Sequence, residues 1–352
     1  MRLRLKLFTF LCCFVLIVTT WFYFSSLPHC KLYSREGNKI VSSPPSLTSL
    51  KENRNGILNY TDWHYKEDPH EYAYIHNPTD LCMSNEVYEN LFLLILVASH
   101  PENARRRYFI RKTWGSQSLF YASSKTRIVF LLGKDLTSNR TTQNQVAQEF
   151  LYHNDILQED FVDTYLNLTI KSIMGLKWVS RFCPKATFVM KTDDDMLINI
   201  DRLLAYLQRA SSTSFFGGKM AKTTVIRDYD NKFFVPRSVY PKDVYPPYCE
   251  GLGYLMSYDV VHKLYFTSLT TPLFPWEDVY IGMLLTQLPI KLINIPNFFA
   301  EGWYFDENDR IKLTRYAISK LRACFTFHSL SQNEMFQIWE MWRKKPVQFP
   351  QR

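Results

Sequence analysis

The 352-residue chain is 46% hydrophobic and 16% aromatic, which excludes general disorder and allows one large globular domain or two small ones. Its formal charge of +9 suits a negatively charged partner and, taken alone, leaves nucleic acid, anionic membrane and phosphate-bearing substrates open. Beyond residue 27 no two cysteines take the CxxC spacing, so a zinc ribbon is not expected.

The first element is Leu7 through Leu27, an apolar run without a formal charge. At a rise of about 1.5 Å per residue it crosses a bilayer core of roughly 30 Å. Arg2, Arg4 and Lys6 precede it, so the positive-inside rule places residues 1–6 in the cytosol. Trp21, Phe22 and Tyr23 suit the far membrane interface. A cleaved signal peptide competes with this reading. The run is longer than a signal core and lacks a small-x-small cleavage site, so an uncleaved anchor over residues 7–27 is the expectation.

The cysteines agree with an oxidising lumen. Cys30, Cys82, Cys183, Cys249 and Cys324 follow the anchor, and four of them allow two disulfides in three connectivities. Cys30 is then the odd thiol and offers a link between two copies of the chain. Sequons at Asn59, Asn139 and Asn167 are compatible with lumenal glycosylation. Residues 28–80 lack a sustained apolar period and contain Ser42-Ser43-Pro44-Pro45-Ser46, which predicts a flexible stem. A folded domain is expected over 81–345, with its first regular element near Leu91.

Three apolar runs then predict strands buried on both faces of a parallel sheet: Leu91 to Val97, Ile128 to Leu132 and Thr187 to Met190. Helices are expected between them, around Ala104 to Trp114, Gln143 to His153 and Thr169 to Phe182. The last places Ile170, Ile173, Met174 and Trp178 on one face. Alternating strand and helix gives an α/β, Rossmann-like layer, whose ligands sit beyond the carboxyl ends of the strands.

Asp193-Asp194-Asp195 follows the third run at that end. Adjacent carboxylates repel one another, and a hard divalent cation relieves the repulsion while also binding diphosphate oxygens. Alternate residues of an extended segment face the same way, so Asp193 and Asp195 can converge on one ligand. The plainer reading is a solvated acidic turn, or a cap for a helix over Asn199 to Leu207.

A series of blocks now becomes specific. Arg107-Tyr-Phe-Ile-Arg111-Lys-Thr-Trp114-Gly115, Phe130-Leu-Leu-Gly133, Asp160-Phe-Val-Asp163-Thr-Tyr165-Leu-Asn167-Leu-Thr169 and Lys191-Thr-Asp-Asp-Asp195 occur in order. Tyr245-Pro-Pro-Tyr-Cys249-Glu-Gly251-Leu-Gly253-Tyr254 and Glu277-Asp278-Val-Tyr-Ile-Gly282 follow. From about Cys82 to Trp339 the chain resembles the β-1,3-glycosyltransferase family, glycosyltransferase family 31. The resemblance implies a GT-A-type single catalytic domain, a UDP-sugar donor, manganese and a lumenal position on a Golgi membrane, with the glycan acceptor on lipid or protein.

Residue by residue, the resemblance implies metal ligation by Asp195, by Asp193 (on the metal or the ribose) and by His328. It implies Asp278 as the general base of an inverting transfer. Asp194, Lys191, Gly251 and Gly253 fall on the donor side, the glycines permitting close backbone approach. Arg107 and Arg111 lie four apart on one helix face, and their forks suit either phosphate oxygens or a surface ion pair with Glu102. Glu277 is expected to orient the acceptor or cap its helix, Trp276 to stack on an acceptor sugar, and Trp114, Asp160 and Asp163 to be structural.

Lys191-Thr192-Asp193 resembles the galactosyl and N-acetylgalactosaminyl branches, so UDP-galactose is the expected donor and UDP-N-acetylgalactosamine the alternative. A non-catalytic lumenal chaperone or glycan-binding relative is a second function class, against which the acidic triplet, Asp278 and His328 speak. A metal-dependent nucleic-acid enzyme is a third. The anchor, sequons and lumenal cysteines oppose it, and no nucleic-acid partner is expected.

Overall fold

The computed structural model describes residues 70–116, 125–135, 140–299, 323–328 and 332–343. The cytosolic tail, the anchor over 7–27, Cys30, Asn59 and Asn139 lie outside the described residues. No helix among the described residues is long and apolar enough to cross a membrane.

In chain order the elements are β1 (Tyr74–His76), β2 (Met83–Ser84), β3 (Val87–Tyr88), β4 (Leu93–Ala98), α1 (Ala104–Lys112), β5 (Thr126–Lys134), α2 (Arg140–His153), β6 (Ile156–Val162) and α3 (Leu168–Phe182). They continue with β7 (Phe188–Asp193), β8 (Leu197–Ile198), α4 (Ile200–Leu207), β9 (Phe216–Ala221), β10 (Tyr248–Ser257), α5 (Tyr258–Ser268), α6 (Glu277–Leu285), β11 (Leu292–Asn294), β12 (Thr326–Phe327) and α7 (Gln332–Arg343).

The main sheet has eight strands in the order β1-β6-β5-β4-β7-β10-β9-β11. β5, β4 and β7 run parallel, as their apolar runs predict, and β6 joins them in parallel beside β5. β10 is antiparallel to both β7 and β9, so the sheet is mixed rather than wholly parallel. All six residues of β4 are buried. The strand's two-residue period divides them between two cores: Leu94 and Leu96 pack with α3, α5 and α6, while Leu93, Ile95 and Val97 pack with α1, α4 and α7. At Gly175 a Cβ would meet Leu131 Cδ1 at 2.9 Å and Leu96 Cδ1 at 3.0 Å, so α3 lies on the sheet at a distance that glycine allows.

Two expectations are corrected, and one strand without a sequence signal is added. The folded unit reaches back before residue 81: β1 pairs with β6, His70 is buried, and Cys82 is bonded to Cys183. Only that one disulfide forms among the described residues, while Cys249 and Cys324 are buried thiols not joined to each other. Finally, Gln158 and Glu159 are buried within β6, a strand whose polar residues gave no apolar run. Gln158 donates to the Gly133 carbonyl, and Glu159 pairs with the buried Lys177.

Candidate active site

β7 ends at Asp193, and the chain turns through Asp194 and Asp195 before entering β8. β8 pairs antiparallel with β12, with Phe327 opposite Leu197. This small ribbon brings His328 beside the acidic turn, where its Nε2 stands 3.4 Å from Asp195 Oδ2.

The three carboxylates have different surroundings. Asp194 is held by Ser99 Oγ at 2.7 Å, Asn103 Nδ2 at 2.8 Å and Arg106 Nη1 at 2.8 Å. It ties the turn to the segment that leads into α1, so its expected donor-side role is replaced by a structural one. Asp193 accepts from Lys191 Nζ at 2.9 Å. Asp195 lies 3.6 Å from Arg106 Nη1. Its burial opposes ionisation, but His328 and Arg106 outweigh this and hold its carboxyl below the ordinary value. The Asp195 carboxylate conversely raises His328.

Asp195 and His328 fit neighbouring positions around a divalent ion. Cis ligands about 2.1 Å from an octahedral centre stand about 3 Å apart, close to the observed separation. Asp195 Oδ1 is buried without a hydrogen-bond partner, leaving a lone pair for a cation. A mixed carboxylate and imidazole donor set is compatible with manganese. Asp193 does not complete the set: it faces Lys191, and no three His, Cys, Asp or Glu side chains converge among the described residues.

A cavity of about 530 Å³ opens beside this turn. Asp193, Gly251 and Asp278 line it together with Tyr165, Phe233, Tyr245 and Trp276. Asp278 stands in the first turn of α6, and its carboxylate accepts from the Val279 amide at 2.8 Å and the Gly251 amide at 3.2 Å. Burial and the adjacent Glu277 nevertheless push it up to about 6. A carboxylate at that value ionises near neutrality and is basic enough to take a hydroxyl proton. Glu277 has its own partners, accepting from Ser172 Oγ at 2.7 Å and the Tyr254 hydroxyl at 2.6 Å.

Several sequence expectations do not survive this geometry. Arg107 is buried and grips both oxygens of Glu149 at 2.8 and 2.7 Å, while also donating to the His100 and Pro101 carbonyls. Arg111 binds Asp155 at 2.8 and 2.6 Å and Glu149 at 2.6 Å. Both forks are committed to carboxylates inside the protein, so neither is a phosphate ligand. The arginine at the acidic turn is Arg106, which sequence reasoning passed over. Gly253 lies within β10 against Met190 and Phe298, away from any open approach. Trp276 is buried against Phe233 and Tyr165, so it is a wall of the cavity rather than an exposed platform.

Other expectations hold. Trp114 is buried and donates to the Met196 carbonyl at 3.0 Å. Asp163 is structural, accepting from the Gly133 amide at 2.7 Å and Lys171 Nζ at 2.6 Å. Asp160 forms a surface ion pair with Lys134.

With the geometry in place, comparison with known proteins is decisive on family. The model of the family described as "Galactosyltransferase" matches residues 105–296, which include Asp193, Asp195, Gly251 and Asp278. The chain is therefore a glycosyltransferase. Human beta-1,3-galactosyltransferase 1 is 36% identical over 275 residues, covering 77% of this chain and 79% of that protein. Human beta-1,3-galactosyltransferase 5 is 38% identical over 254 residues, covering 71% of this chain and 77% of that protein. The chain belongs to the β-1,3-galactosyltransferase family.

Proposed function

We infer that the chain is an inverting β-1,3-galactosyltransferase that takes galactose from UDP-galactose and places it on a glycan acceptor. The observation that carries this reading is one cavity lined both by Asp193, at the end of β7, and by Asp278, whose carboxyl is pushed up to about 6. The acceptor lies in the aromatic part of the cavity, where a sugar face packs against the exposed Tyr165, with Tyr245 and Trp276 as the buried wall. Its hydroxyl oxygen attacks the anomeric carbon opposite the diphosphate, and Asp278 takes the proton. One displacement converts an α-linked donor to a β-linked product.

The Gly251 and Val279 amides hold Asp278 in place. Asp195 and His328 would hold a manganese ion, which would stabilise the charge that develops on the departing diphosphate. Arg106 is half-exposed beside Asp195 and adds positive charge to the same region. A GT-A-type catalytic domain, a single-pass anchor over 7–27 and a lumenal position on the Golgi membrane complete the proposal.

A donor panel tests it. The full chain is incubated with manganese, several UDP-sugars and several glycan acceptors, and product linkage is read by NMR. Galactose in a β-1,3 linkage is expected. Transfer of N-acetylgalactosamine alone would overturn the donor assignment, and absence of transfer from every UDP-sugar would overturn the enzymatic reading.

A further inference from the structure

Lys191 sits inside β7 with a side chain only 1% exposed, an expensive place for a cation. Its ammonium touches groups from three parts of the fold. It donates to Asp193 Oδ1 at 2.9 Å and to the Gly251 carbonyl at 2.8 Å, and Glu277 Oε2 lies 3.5 Å away. These contacts set the ammonium between two carboxylates and a backbone carbonyl. Packing does not account for this choice, because an apolar side chain of similar volume avoids the desolvation cost.

Gly251 is held at both ends. Its carbonyl accepts from Lys191, and its amide donates to Asp278 Oδ2 at 3.2 Å. Glu277 is fixed independently by Ser172 and by Tyr254, the residue opposite Lys191 in the β7–β10 register. One ammonium therefore joins the Asp193 carboxylate, the strand residue whose amide holds the base, and the residue immediately before the base.

Resting on the reading of Asp278 as the base, we propose that Lys191 is a positioning residue for the transfer reaction, fixing Asp278 and Asp193 relative to each other through Gly251 and Glu277. Lys191 and Glu277 also act on Asp278 with opposite sign. The ammonium favours its ionised form, and the Glu277 carboxylate opposes it.

The test compares wild type, Lys191→Met, Glu277→Gln and the double variant as full chains. It measures thermal unfolding, kcat, the KM of donor and acceptor, and the pH dependence of kcat/KM. Lys191→Met is expected to lower kcat about 100-fold at saturating substrates, the cost of a displacement of about 1 Å in a reacting group. Its acidic limb moves above about pH 6, the Glu277→Gln limb moves below, and the double variant returns toward wild type.

A purely structural lysine would change the folded fraction and leave every limb where it was, which would overturn the proposal. Should Lys191→Met fail to fold, Glu277→Gln and the double variant decide by whether their limbs differ in the stated order. Loss of the positioning role is distinct from failure of the functional reading. In the first case wild type turns over with unmoved limbs in the variants, and in the second wild type transfers no sugar.

Discussion

His328 Nε2 and Asp195 Oδ2 stand 3.4 Å apart although their residues are remote in the chain. The two-residue pairing of β12 with β8 makes the contact, placing His328 next to the acidic turn. The pair is therefore expected to act jointly on a divalent ion. His328→Ala should weaken manganese binding by at least the roughly 10–100-fold that loss of even an outer-shell partner costs. Calorimetry or manganese EPR in the presence of UDP measures this, and unchanged affinity would remove His328 from the site.

The pH dependence of transfer follows from Asp278. As the proposed base it works only when deprotonated, and its carboxyl is pushed up to about 6 rather than 3.8. At saturating manganese, kcat/KM should rise through about pH 6 and fall roughly tenfold for each unit below it. A limb near pH 4 would mean that burial and Glu277 do not govern the working group.

Arg107 separates a structural role from a phosphate-binding one. Its side chain is wholly buried against Glu149, so Arg107→Met leaves Glu149 to Arg111 and takes a donor from the His100 and Pro101 carbonyls. The expected cost is about 3–5 kcal/mol in denaturant unfolding, with the KM for UDP-sugar unchanged in the folded fraction. A raised donor KM with normal stability would restore Arg107 as a donor ligand.

The Cys82–Cys183 bridge closes a loop with a sequence separation of 101 and ties the hairpin of β2 and β3 to the end of α3. Replacing both cysteines by serine should cost about 2–5 kcal/mol, read as a lower Tm under non-reducing conditions. Equal stability with and without the bridge would place its effect elsewhere, and Cys249→Ser is the control that leaves the bridge intact.

The central architecture was legible in the sequence because its signals are local. β4, β5 and β7 are apolar runs, and α3 repeats Ile170, Ile173, Met174 and Trp178 at helical spacing. What escaped depended on contacts between distant segments. β6 buries Gln158 and Glu159 only because Gly133 and Lys177 meet them across the fold. Arg106, Arg107 and Arg111 share one helix, and the pairing carboxylates Glu149 and Asp155 come from α2 and the turn before β6. Position along α1 alone does not tell which arginine reaches the acidic turn. Asp195 is legible from its place just after an apolar strand, and Asp278 only through a family block, whereas the Lys191 link to Gly251 and Glu277 required the β7–β10 register.

The most direct measurement is the response of Asp278→Asn, with donor binding and sugar transfer followed in the same preparation. The substitution keeps the side chain's shape and removes its capacity to take a proton. Transfer from UDP-galactose should fall by about 10²–10⁴-fold while UDP-galactose and manganese still bind with near wild-type affinity. Wild-type turnover by the Asp278→Asn chain would contradict the account.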